Sequence, residues 1–444
     1  MKKFHLPMNR FSVTAGAFLL AACSNSSPAL RGTPSGYADA SSEDSGREPS
    51  SFGRKEKRSL AYCAPYGRDL RLGEECVAPD EKLRFEDMGR RINAVQDKHM
   101  ALGKDHRGHD AFGKSIRRGF HAKAHGCLQA TFTVLEDIPE ELSHGIFEPG
   151  RVYEAWTRFS NGTGTIHADA KLDVRGLGIK VMGVEGDRLH LAPTEVPGVE
   201  RSTQDFLMTN KVKPTTHTPE EFVQFAEASV SGPKDQVKFF VAGRRFEEFV
   251  TLTKESSRKI DSLAKETYWS GGAIALGFDE HEPALASPAV KFNVSPSSCE
   301  GVNAPLPPRL AKERHPGKKK QLEDSYLVAD LKGLVAEDDL CFKFSVQVQR
   351  DAARQPIEDA FIEWTEAETP SKAIALIRIP KGQDFLSKER LAFCENLAFN
   401  PFNGIAAHRP LGETMRARNE VYAFSRSLRQ KNLGQKPIDP SAGR

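Results

Sequence analysis

Residues 415–429, MRARNEVYAFSRSLR, place opposite chemistry on two faces at helical spacing. Ala417, Val421, Phe424 and Leu428 recur at i, i+4, i+7 and i+11, which makes one apolar stripe facing a core. Arg418, Tyr422, Ser425 and Arg429 follow the same period one residue out of phase, so a phenol lies one turn from one guanidinium and two turns from another. A cation that close favours the phenolate. A phenolate is an anionic oxygen ligand for ferric iron, and tyrosinate is one of the axial ligands that hold a haem. The spacing alone also fits a solvated Arg–Tyr face, so the choice between the two rests on the rest of the chain.

Composition points to a globular chain: 39% of its 444 residues are apolar, 28% are charged, and the net charge of +3 argues against nucleic acid as a partner. Residues 1–22 form a targeting segment, with Lys2, Lys3 and Arg10 ahead of an apolar run, 11–22, too short to span a bilayer as a helix. Leu20-Ala21-Ala22-Cys23 resembles the lipobox of bacterial lipoproteins. That resemblance implies cleavage before Cys23, acylation there and a mature chain hung from a membrane by lipid, with Ser24 favouring the outer membrane; the other reading is a plain secretory signal. Residues 24–59 are rich in Ser, Gly, Pro and charge and cannot bury enough surface to offset their ordering entropy, so 23–79 is expected to be a tether and N-terminal segment. A domain over 80–435 and a tail over 436–444 complete the division. Of the cysteines after Cys23, Cys63 and Cys76 are the expected local bridge; buried free thiols are the expectation for Cys127, Cys299, Cys341 and Cys394.

Residues 80–100 read as a helix with Phe85, Met88, Ile92 and Val95 on one side. Strands are expected within 117–135 and at 152–160, 175–184, 203–208, 272–278, 289–295, 340–349, 361–365 and 373–379. In the second of these, Tyr153, Ala155 and Phe159 alternate with Trp156, Arg158 and Ser160. The latter face suits neither core nor open solvent, and reads as a pocket wall. Thr218-Pro219-Glu220-Glu221 has the form of a capping box opening a helix, and a second helical stretch runs over 235–263. Together these elements predict an α+β fold, a closed antiparallel barrel of about eight strands carrying a helical insertion and C-terminal helices. The helix holding Tyr422 would lie against the outside of the barrel or across its mouth.

Several segments resemble the haem-dependent catalase superfamily. Arg118-Gly119-Phe120-His121-Ala122-Lys123 is similar to its Arg-x-x-His-Ala-Lys, and Arg158-Phe159-Ser160 to its Val-Arg-Phe-Ser. Asp173-Val174-Arg175-Gly176-Leu177-Gly178-Ile179-Lys180 is similar to its Arg-Asp-Pro-Arg-Gly-Phe-Ala-Val-Lys, and residues 397–402 to its Leu-x-Phe-x-Pro. Arg418-x-x-x-Tyr422 matches its proximal motif, with Arg429 seven residues on. The motifs keep the family's order over about 80–430, and the chain resembles the small catalase-related proteins.

The resemblance implies haem as cofactor, Tyr422 as axial iron ligand with Arg418 lowering its pKa, and His121 as distal acid/base. It also implies that Arg118, Arg158 and Arg429 pair with the propionates and that Ser160 orients the imidazole. Spacing does not separate His121 from His125 four residues on; only the His-Ala-Lys match favours His121, and either fits a hydrogen-bonded core histidine. Ser202 stands where catalases carry the distal asparagine, a departure that weighs against disproportionation more than against peroxidase chemistry. His167 with Asp169, or His190, lacks the further ligands of a separate metal site. The expected function is thus a haem-dependent, peroxide-decomposing oxidoreductase, exported and lipid-anchored at Cys23. The rivals are an enzyme converting lipid hydroperoxides and a haem-binding lipoprotein without catalysis. Relatives are usually oligomeric, which makes a homo-oligomer an expectation too.

Overall fold

Strand alternation in the sequence becomes the wall of a barrel. A computed structural model describes residues 70–103, 118–189, 202–277, 288–311, 324–433 and 440. The signal segment, Cys23, Cys63 and His190 lie outside the described residues.

Ten strands form one sheet: β1 (Ala124–Val134), β2 (Val152–Asn161), β3 (Arg175–Met182), β4 (Thr203–Thr209), β5 (Tyr268–Ser270), β6 (Ala273–Ala275), β7 (Ala289–Ser297), β8 (Leu340–Val348), β9 (Lys372–Ile379) and β10 (Pro410–Leu411). The order β7-β5-β4-β3-β2-β1-β9-β8 closes on itself through β7–β8 pairing, giving an eight-stranded antiparallel barrel, while β6 and β10 extend from β7. Inward residues include Phe132, Phe159, Leu177, Ile179, Phe206, Phe292 and Phe344. Phe132, Phe206, Phe292 and Phe344 lie ring against ring, with centroids 4.9 to 6.2 Å apart. Each such burial stabilises by roughly 1.5–3 kcal/mol.

Helix α1 (Glu81–Gly103) buries Phe85, Met88, Ile92 and Val95, the stripe its spacing predicts. Between β4 and β5 comes the insertion: α2 (Pro219–Ser231), α3 (Pro233–Ala242) and α4 (Phe246–Ser256). The capping box is present, Thr218 Oγ1 accepting from Glu221 N at 3.2 Å while the Glu221 carboxylate accepts from Thr218 N. Arg91 clamps α2 to α1, donating to Glu220 at 2.7 Å and to Glu227 at 2.8 Å. After α5 (Tyr326–Glu337) and α6 (Lys388–Asn396) comes the last described helix, α7 (Glu413–Leu433). Ala417 and Val421 of α7 pack on the α1 cluster. Gly89 lets the two helices touch: a Cβ there would stand 2.6 Å from the Phe424 ring.

Three expectations are corrected. The helical stretch over 235–263 is two helices, broken at Gly243-Arg244, where Arg244 takes a left-handed φ of 54°. Residues 361–365 form turns rather than a strand; Phe361 and Trp364 are buried as loop anchors. The four cysteines expected as free thiols are joined, Cys127–Cys394 and Cys299–Cys341. Cys76 is also disulfide-bonded, and its expected partner Cys63 lies outside the described residues.

Candidate functional site

The outward face of β2–β4 is built from the wall residues of the alternation. Ser160 pairs with Gly176 and Gly176 with Thr209; one step down, Arg158 pairs with Gly178 and Gly178 with Leu207. Side chains at paired positions share a face, so Arg158, Ser160, Leu207 and Thr209 border the two glycines.

His121 precedes β1 in a left-handed conformation, φ 55°, held by its N–H donating to Gly162 O at 2.9 Å. Its Nδ1 lies 3.0 Å from Ser160 Oγ. The imidazole rests on Gly176, where a Cβ would come within 2.4 Å of Nδ1. That glycine is the one in Arg175-Gly176-Leu177, so two separated motifs meet at one contact. Burial, then the Arg158 charge, lowers the His121 pKa to about 4, and the ring is neutral at pH 7.

His125 goes elsewhere. It is fully buried with Nε2 2.7 Å from Asn161 Oδ1, beside the Lys123–Asp169 pair at 2.7 Å. Because the regular strand begins only at Ala124, the two histidines do not share a strand face. His167 pairs with Asp173 at 3.0 Å, and among the described residues no group of three metal-ligating side chains occurs.

Three arginines converge below His121. Arg158 Nη2 donates to His121 O at 2.9 Å and lies 3.7 Å from Glu395. Arg118 donates to Leu397 O at 2.7 Å and Cys394 O at 3.2 Å, and Arg429 donates to Glu395 O. Burial, with Arg118 as the next cause, lowers Arg158 to about 9 and pushes Arg429 well below the ordinary guanidinium range. The Cys127–Cys394 bridge ties this stretch to β1, opposite Arg158 in register.

On α7, Arg418 donates to Tyr422 Oη through Nη2 at 3.0 Å and Nε at 3.2 Å. Gly271 gives the guanidinium room, a Cβ there standing 3.1 Å from Nη1. Ser425 on the same stripe donates to Gln96 Oε1 at 2.7 Å, and Gly119 lies against both. Arg418 is near enough for its charge to weigh on the titration of His121. The stripe of Arg418, Tyr422, Ser425 and Arg429 therefore borders the region of His121 and Arg158.

Ser202 is not part of this region. It is exposed, one residue before β4, where Thr203 pairs with Met182. Gly176, under His121, lies six residues along β3 from Met182, about 20 Å at ~3.3 Å per residue. The β4 residue paired with the glycine under His121 is Thr209. Asn210 next to it turns to the other face, accepting from Arg175 N at 2.7 Å and donating to Glu266 at 2.8 Å.

Sequence reasoning also missed Glu395 and a second link across the wall. Lys180 and Asp205 form a buried pair at 2.7 Å; Asp205 also accepts from Asn400 N at 3.0 Å and Asn403 Nδ2 at 3.1 Å, and Asn400 donates to Asn419 on α7 at 3.2 Å. The segment Leu397–Phe402 is thereby locked to both barrel and helix. Lys180 and Asp205 share the outward face with Arg158, a parity readable in the strands once their register is known.

Could the residues hold a haem? Two buried guanidiniums, Arg158 and Arg429, and the half-buried Arg118 lie together with Glu395 among them, and the buried Nε of Arg158 has no hydrogen-bond partner. That excess of cation suits two further anionic groups such as propionates. The phenol held by Arg418 places an oxygen of the kind ferric iron takes beside that cluster. The donor set fits the group.

No protein-family model matches the chain, and comparison with curated proteins gives no match. Solved structures do. A fungal catalase is 17% identical with a TM-score of 0.54, covering 74% of this chain and 62% of its own. Catalase A from Saccharomyces cerevisiae is 17% identical with a TM-score of 0.56 over 74% and 64%, and a bacterial catalase is 16% identical with a TM-score of 0.52 over 73% and 59%. The chain has the catalase-like fold and spans about three-fifths of the length of these catalases.

Proposed function

We propose that the chain is a haem-dependent oxidoreductase acting on peroxides, held at a bacterial envelope membrane by acylation of Cys23. The observation that carries the reading is the Arg418–Tyr422 pair on a helix bordering the same region as His121 with its Ser160 partner. When bound, the haem supplies the redox chemistry of peroxide cleavage.

The chain's own residues do the rest. Arg418 holds the Tyr422 oxygen through two N–H donors, and that oxygen would be the ligand to iron. Arg118, Arg158 and Arg429 bind and orient the propionates, Glu395 and the carbonyls of 394–397 giving way as acceptors. His121, neutral and engaged at Nδ1, takes a proton from peroxide at its other ring nitrogen and returns it to the departing oxygen. Ser160 holds the ring for that transfer.

Thr209 favours peroxidase chemistry over disproportionation. It is the β4 residue paired with Gly176 under His121, and the neighbouring Asn210 amide is committed to Arg175 and Glu266. The test is an assay of the haem-loaded protein with dilute hydrogen peroxide, with guaiacol as reductant. Guaiacol oxidation with little oxygen release is the expected result; brisk oxygen release would mean a catalase, and neither reaction with haem bound would mean a binding protein.

A further inference from the structure

The far end of the helical insertion is apolar, exposed and used by nothing described so far. Val241 is 61% exposed, Phe246 71% and Val250 45%. Phe246 and Val250 stand one turn apart on α4, hence on one side, and Val241 closes α3 across the Gly243-Arg244 corner. Between the two helices lies an apolar cavity of about 220 Å³ lined by Val237, Phe240, Val241, Arg244, Phe246 and Phe249.

This end is rigid. Arg245 stitches the corner from inside, donating to Glu221 and Phe239 O and lying 4.3 Å over the Phe239 ring. Phenylalanines continue inward ring against ring, Phe249 to Phe240 at 5.2 Å, Phe240 to Phe225 at 5.9 Å, Phe225 to Phe222 at 6.5 Å and Phe222 to Phe120 at 5.2 Å. Phe120 is the residue before His121. Lys238 and Arg244 are exposed beside the apolar side chains; of the exposed acids on the two helices, Asp235 lies a turn before Lys238, and Glu247 is paired with Lys213 at 3.3 Å.

We propose that this end of the α3–α4 pair is a docking surface for an anionic phospholipid membrane. Three exposed apolar side chains at a corner fall short of a stable protein interface, which buries about 800 Å² on each partner. A bilayer needs only such a wedge: Phe246, Val241 and Val250 enter the acyl boundary while Lys238 and Arg244 meet phosphates. A second copy of the chain is disfavoured, because symmetrical contact would bring the same two cations together. The surface is independent of acylation at Cys23 and of any haem.

Hydrogen exchange of the full chain with and without phosphatidylglycerol vesicles tests the proposal at the amides of 238–250, so an anchor elsewhere does not confuse the readout. Protection there is expected with phosphatidylglycerol, absent with phosphatidylcholine, and lost in Val241→Glu/Phe246→Glu, whose sites are exposed enough for folding to survive. Lys238→Gln/Arg244→Gln is expected to weaken vesicle binding at this end roughly 25-fold, at about fivefold per cation. No protection on phosphatidylglycerol, equal protection on phosphatidylcholine, or protection that rises with protein concentration in the absence of vesicles would each overturn it.

Discussion

His121 holds its ring by three devices: a left-handed backbone, a glycine under the imidazole and a hydroxyl at Nδ1. Gly176→Ala therefore strikes the site without removing a polar group. Its Cβ would overlap the ring, and peroxide turnover should fall while the Tyr422-dependent haem spectrum persists. Replacing His121 with Ala removes the proton carrier and should lower turnover by roughly 10²–10⁴. With a His121 pKa of about 4, the neutral imidazole predominates above that value. Turnover should thus stay level from neutral pH to about 5 and decline as pH drops through about 4, as a pH–rate profile would show. Thr209→Asn should raise oxygen release from peroxide, whereas Ser202→Asn, far along the hairpin, should not.

At the scale of elements, helix α7 was legible and the end of β4 was not. A 3.6-residue period shows which side chains of 415–429 stand together, so Arg418, Tyr422 and Arg429 could be grouped from the sequence. Strand alternation likewise put Trp156, Arg158 and Ser160 on one wall. Register across a hairpin is a different matter. Ser202 takes the asparagine's place only by resemblance to the family's segment, and the register that sets Thr209 beside Gly176 shows in the folded sheet alone. The bridge from Cys127 to Cys394 spans 267 residues, and no spacing rule reaches that far. It secures α6, which carries Glu395 into the arginine cluster. Cys127→Ala/Cys394→Ala should lower stability by about 2–5 kcal/mol in urea titration and weaken haem retention by loosening that strap.

In the whole molecule, the insertion, barrel wall and α7 meet around one region, and closure of eight strands is what brings them there. Burial holds His121, His125 and His408 each at about 4 against an ordinary value near 6.5. Their folded values are depressed, so the unfolded chain takes up their protons first. Stability is complete above about pH 6.5 and is lost as pH falls toward about 4, by several kcal/mol in all. Urea midpoints measured at about pH 7, 5.5 and 4.5 should fall steeply in that order, and His408→Phe should flatten the decline.

The most direct test is titration of the purified chain with haemin, followed by absorption. Saturation at one haem per chain with a Soret band, lost in Tyr422→Phe and kept in Tyr153→Phe, is the expected result. A chain that stays colourless, or one whose band survives Tyr422→Phe unchanged, would contradict a haem held by Tyr422.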